Sequence, residues 1–226
     1  MMSLTNQAPS LETVMGEPSP ASPAGNAFGA VERAMVATLT AWFLAVLGLG
    51  WLGVFGRLRH AAVGVIAVAA LLGIVALYCL NPSFQAYVRS ISFKRLTILN
   101  VWRFPAGALF LYYGTHGLLP PLFVQNAAWG DIFAACLVPV VLMLPEGRGK
   151  YLWFQVVGFA DFILAVGTGL TLNLLDTPTM SNIAELPLCV IPLFGVPIIG
   201  AVHIMMLDRL LLAGRPALRV RLPSGR

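Results

Sequence analysis

"AAVGVIAVAALLGIVALYCL", residues 61–80, is twenty residues long and carries no charged side chain. Coiled as a helix at about 1.5 Å per residue, it reaches about 30 Å, the thickness of the hydrocarbon core of a bilayer. Similar runs lie at about 34–55, 96–114, 126–144, 151–173 and 187–207. The pattern predicts an all-α polytopic bundle of six transmembrane helices within residues 32–210. Composition agrees: 58% of the 226 residues are hydrophobic and 10% are charged, against about 25% charged in an ordinary soluble domain. The mean hydropathy is +0.85. Such a chain is solvated mostly by lipid, and a soluble globular domain is excluded.

Residues 1–31 are rich in Ser, Pro, Ala and Gly, with no basic stretch running directly into an apolar one, and read as a disordered tail rather than a signal peptide. Residues 211–226 read as a basic C-terminal tail. Between the second and third runs, "NPSFQAYVRSISFKRL" is mixed and basic, the pattern of an amphipathic segment at the membrane interface. Alternating the six runs across the membrane puts eleven Lys and Arg on the side that holds both tails and only Arg57 and Arg59 on the other. That bias predicts both termini on the cytoplasmic side of a bacterial inner membrane. The net charge of +5 is therefore an orientation and anionic-lipid signal and not a nucleic-acid footprint.

Several motifs carry no chemistry. "GLGWLG" matches a dinucleotide fingerprint at Gly48, Gly50 and Gly53, but it follows no strand, and with Gly56 it reads as a close-packing face. Cys79, Cys136 and Cys189 are isolated and form no CxxC pair, so they read as small apolar residues; no metal site and no cofactor are expected. His60 and His116 lie at helix ends, which leaves no bis-histidine haem pair. Pro192 and Pro197 fall inside the sixth run, where each removes a backbone hydrogen bond.

Ionisable residues inside spanning helices cost about 2.5–3.5 kcal/mol each on insertion scales and are functional candidates. Here they are Arg103, Asp131, Asp161 and His203. Counting residues along each run places Arg103 and Asp161 at similar depth near the midplane and predicts that they pair. Asp131 falls about 7 Å outward and His203 about 8 Å inward. Asn100 and Gln155 add neutral polar groups on the inner side. Asp131, in the first turn of its run, is favoured there by the helix dipole. The apolar connector "GLLPPLFVQNAAWGD" reads as a cap over an outward-facing cavity or as an interfacial anchor.

"WRFPAGALFLYYGTHGLLPPLF" (102–123), then "GD" at 130–131 and Pro139, resembles a pattern in uncharacterised bacterial multi-pass membrane proteins. "GFADFILAVGTG" and the "VP....VHIMML" of the last helix are similar to the same group. The matching residues are Trp102, Arg103, Gly107, Gly117, Pro120, Gly130, Asp131, Asp161 and His203. The connector departs from the pattern, reading "FVQNAAWGD" where relatives have "FA.PAG.GD". The resemblance implies a bundle with this polar set and no particular activity.

Three functions are open on sequence alone. One is a small transporter or proton- or ion-coupled protein with the polar set lining its path. Another is a membrane-embedded enzyme on a lipidic or isoprenoid substrate, with the carboxylates as acid and base and Trp102, Phe104, Tyr112, Tyr113, Trp129 and Phe159 stabilising a cation. The third is a non-catalytic accessory subunit, in which Arg103 and Asp161 only fix helix register. Expected partners are the lipid bilayer, a small-molecule or lipidic ligand, and a membrane-protein partner or second copy.

Overall fold

The computed structural model describes residues 23–58 and 60–212. The segment read as the N-terminal tail is described only from Pro23, where a helix already begins; residues 1–22 and 213–226 lie outside the described residues. Among those described, every regular element is helical. In chain order the α-helices are α1 (Pro23–Trp51), α2 (His60–Leu80), α3 (Pro82–Ser90), α4 (Phe93–Ile98), α5 (Arg103–Thr115), α6 (Pro121–Phe123), α7 (Trp129–Met143), α8 (Arg148–Leu174) and α9 (Val196–Leu212). A 3-10 turn, Leu99–Trp102, joins α4 to α5. Wider π-helical turns, Val124–Ala128 and Ile191–Gly195, lead into α7 and α9.

Five helical segments are long and apolar enough to cross a membrane: Phe28–Trp51, Ala61–Leu80, Pro121–Met143, Arg148–Leu174 and Ile191–Leu211. The chain is thus a helical membrane protein whose apolar helices face lipid, with Trp51, Leu80 and Met143 among its most exposed side chains. The run predicted as a third continuous span is a composite of α4, the 3-10 turn and α5. Pro105 supplies a reason: it has no N–H to offer the carbonyl four residues back, at Val101, so the turn before it tightens. The sequence places the start of the fourth span too late. Pro121 is its first helical residue, where a missing N–H costs nothing, and "LFVQN" is helix rather than connector.

The last span, Ile191–Leu211, lies at the centre of the bundle, with 61% of its most apolar window buried against 11% for Phe28–Trp51. It packs on α2 and α8; α7 packs on α8 and α5; and α1 leans on the outside, against α3 and the π turn 191–195. The small-residue face of "GLGWLG" is only half realised. A Cβ on Gly50 would stand 2.9 Å from Leu186 Cγ, and one on Gly56 would run into Glu185. Gly48 meets nothing, and Gly53 lies past the end of α1 at φ +64°. The mixed segment after α2 does form a short helix, α3, capped by Asn81, whose side chain accepts from the Phe84 N–H at 3.0 Å.

Candidate functional site

Arg103 opens α5 directly after the 3-10 turn, and its side chain is 4% exposed. Its guanidinium donates in three directions. Nε donates to Asp131 Oδ1 on α7 at 2.7 Å, Nη1 to the Gly158 carbonyl on α8 at 3.2 Å, and Nη2 to Asp161 Oδ2 on α8. One arginine thus fastens three helices. The predicted Arg103–Asp161 pair is present, and Asp131 joins it rather than standing apart on the outer side.

The corrected helix bounds explain that outcome. Phe104 is the middle of the stretch 93–115, Ile132 the middle of Pro121–Met143, and Asp161 the middle of Arg148–Leu174. All three members of the triad therefore sit at the half-height of their helical stretches. Asp131 is preceded by helical residues 121–130, so no free helix end offsets its charge. The helix dipole expected to favour Asp131 is absent there, and Arg103 takes its place as the compensating group.

Glycine makes the approach possible on each helix. A Cβ on Gly107 would lie 2.6 Å from the Ala128 carbonyl and 3.1 Å from Asp131 Cβ; one on Gly130 would occupy the place of the Asp161 carboxylate; one on Gly158 would press on His203 Cε1 at 3.0 Å. His203 is fully buried two residues past Ala201, the middle of Ile191–Leu211, nearer the half-height than residue counting gave. Its Nδ1 lies 2.5 Å from Gln155 Oε1, and Gln155 Nε2 donates to Met206 Sδ at 3.1 Å. Its Nε2 has no hydrogen-bond partner among the described residues. Asn100 is not part of the triad: its amide turns back to the Leu96 and Thr97 carbonyls of the preceding α4, at 3.5 and 3.4 Å.

Two cavities meet at this point. The larger, about 80 Å³, runs along one face of α8 through Phe162, Ala165, Gly169 and Asn173, and has Arg103 and Asp131 at one end. Its far end is closed by Met180 and Ile183 of the 3-10 turn Met180–Ala184, both buried. The smaller, about 30 Å³, lies beyond the triad between Trp102, Gly195 and Ile199. Arg103, Asp131, Phe162, Ile191 and Val196 line both, and Asp161 lines neither. The cap is therefore the 176–186 segment, with the 116–120 connector in support: Asn182 donates to the Leu118 carbonyl at 2.8 Å, and Leu119 is buried in the cluster that holds Met180 and Ile183.

The aromatic set expected to stabilise a cation is not gathered here. Phe104, Tyr112 and Trp129 are exposed on the bundle surface, and Phe159 stacks on Phe162 beside His203. Of that set only Trp102 lines a cavity, the smaller one. The rings on the larger cavity are Phe110, Phe123 and Phe162. Sequence reasoning also misses Asn173, 4% exposed, whose amide donates to the Gly169 carbonyl at 2.8 Å while its Oδ1 has no partner among the described residues. A signal is present in the chain: Asn173 continues the stripe Phe162, Ala165, Val166, Gly169 at helical spacing.

A family model described as Domain of unknown function (DUF8737) matches residues 60–211, and the chain belongs to that family. No curated protein and no solved structure matches it.

Proposed function

We propose that this member of the DUF8737 family is a proton-coupled membrane transporter of a small solute, with the Arg103–Asp131–Asp161 triad as the coupling site. The observation that carries the reading is the charge count: one guanidinium faces two carboxylates at the half-height of the bundle. One arginine balances one carboxylate. A second unbalanced charge inside a low-dielectric bundle is expensive, so the cluster holds one exchangeable proton or takes up one cation in its place. The ionisable groups that feel one another here are Arg103, Asp131, Asp161 and His203.

The Arg103–Asp131 bond, whose two members line both cavities, adds the second half of the reading. With Asp131 charged, its bond to Arg103 Nε holds α7 against α5 and parts the larger cavity from the smaller. With a proton on Asp131, that bond loses its charge assistance, while Asp161 and the Gly158 carbonyl keep Arg103 on α8. The two cavities then have a route to join. The composite stretch 93–115, about 36 Å at the rises of its α and 3-10 parts, is read as the sixth crossing. With it, both termini face the cytoplasm of a bacterial inner membrane.

The test is infrared difference spectroscopy in liposomes between about pH 5 and about pH 8, paired with proton flux into the same liposomes measured by a trapped pH dye while candidate cationic solutes are added outside. The expected result is a carboxylic-acid C=O band that appears on acidification and a solute-dependent flux. Both should be lost in Asp131→Asn or Asp161→Asn protein that still elutes as a single folded species. A flux unaltered by both substitutions, or no titrating carboxyl, would overturn the proposal and leave the triad as a structural clasp.

A further inference from the structure

We infer that the larger cavity binds a cationic amphiphile with one straight hydrocarbon chain, a primary alkylammonium, whose charged end displaces one proton from the triad. The inference rests on the proton-coupled reading above and names its substrate class.

Shape comes first. The lining residues on α8 run from Phe162 to Asn173, eleven steps along the helix, or about 16 Å. The centre of a water molecule would have about 80 Å³ to move in. Spread over that length, that room averages to a bore roughly 5 Å across from wall to wall, the width of a single extended chain. Fused rings and bulky quaternary cations are too broad. Between its ends the walls are apolar: Val63, Ala67, Ala165 and Val166 offer nothing to a hydrated ion.

The ends decide the headgroup. At the inner end the cavity meets Arg103 and Asp131; behind them Asp161 holds Nη2, so the cluster as a whole has two carboxylates to one guanidinium, and three of the five guanidinium N–H donors are taken by Asp131, Gly158 and Asp161. An anionic headgroup would have to compete with two carboxylates for one guanidinium. An ammonium finds the excess negative charge and acceptors for its three N–H donors. Phe110, Phe123 and Phe162 add ring faces along its way. At the other end Asn173 Oδ1 is a buried acceptor without a partner among the described residues, which suits a donor group shedding water as it enters. On binding, the alkylammonium brings one positive charge and one carboxyl proton leaves for water, so the net charge of the site is unchanged.

The experiment is calorimetric titration of the protein in zwitterionic lipid nanodiscs, in two buffers of different protonation enthalpy, with empty nanodiscs as blank. The probes are decylammonium, decanoate and tetraphenylphosphonium. Decylammonium should bind at least about tenfold more tightly than either of the others and release about one proton. Ala165→Leu, which fills the bore without touching the triad, should weaken binding about tenfold, and Asp131→Asn should abolish the proton release. Equal affinity for decanoate or tetraphenylphosphonium, heats equal to those of empty nanodiscs, or binding without proton release would overturn the inference. If decylammonium fails to bind while the infrared carboxyl band still titrates, this inference falls alone. If the band is absent as well, the coupling reading falls with it.

Discussion

A methyl group on Gly130 would stand where the Asp161 carboxylate now sits. Gly130→Ala should therefore push Asp161 off Arg103, which keeps Asp131 as its counterion, a loss of about 1–3 kcal/mol for a buried polar group left without its partner. Thermal unfolding in a mild detergent checks this, with Gly48→Ala as reference because a Cβ there meets nothing within 4 Å. Equal melting of the two variants would mean that Asp161 relaxes freely and that Gly130 is not what shapes the site. At this scale the site is legible in the sequence where a cost can be named. Arg103 and Asp161 stand out as charges in apolar runs, and equal depth pairs them. Asp131 stands out too, but counting its depth from residue 126 hides its partner. Starting the helix at Pro121 moves the midpoint by about three residues, or about 4–5 Å, enough to bring Asp131 level with Arg103. Asn173 escapes because an asparagine in a span costs far less than a charge and so draws less notice.

The π turn 124–128 holds one residue more than an α turn of the same height would, and so it sets the angle at which α7 leaves Pro121–Phe123. Deleting the exposed Gln125 would let the segment relax to α-helix and rotate α7 by about 100° about its axis. Either Asp131 would then swing off Arg103, or Phe123 and Ala127 would leave the cavity wall. The expected outcome is a protein that inserts but melts at markedly lower temperature and shows no titrating carboxyl band; wild-type melting and spectra would show that the π turn is incidental. The matching turn at 191–195 contains Pro192 and ends two residues before Pro197, and residue 197 has no N–H to give in either register. Apolar runs announce the spans, and Asn81 and Ser92, both cap residues, announce the starts of α3 and α4. Pro120 and Pro121 announce a helix start as well, but Gly117 just before them gives the pair the look of a loop. The two π turns are not legible: one inserted residue leaves no compositional mark.

Across the whole molecule, the parity of crossings decides which side each tail occupies, and the composite stretch 93–115 decides the parity. Read as a crossing, it gives six spans and puts Ser90 and Gly147 on the side of both tails, with His116 and Thr177 opposite. Read as a re-entrant element, it gives five, and the tails part company. The bundle supports the crossing. Phe104 at the centre of that stretch is level with Asp161 at the centre of α8 through the Arg103 clasp, so both ends of 93–115 extend as far from the triad as α8 does to within a few residues. The lysine and arginine bias points the same way, with only Arg57 and Arg59 on the far side. Single-cysteine variants resolve it. In a background with Cys79, Cys136 and Cys189 replaced, cysteines at Ser3, Ser90, His116 and Ser224 would be challenged with a membrane-impermeant maleimide in right-side-out vesicles. Six crossings with both tails inside require that His116→Cys alone is labelled, and that the other three react only after the membrane is opened. Labelling of one tail without the other, or of Ser90→Cys together with His116→Cys, would show that 93–115 turns back, and would place the triad at the tip of a re-entrant element instead of the middle of a span.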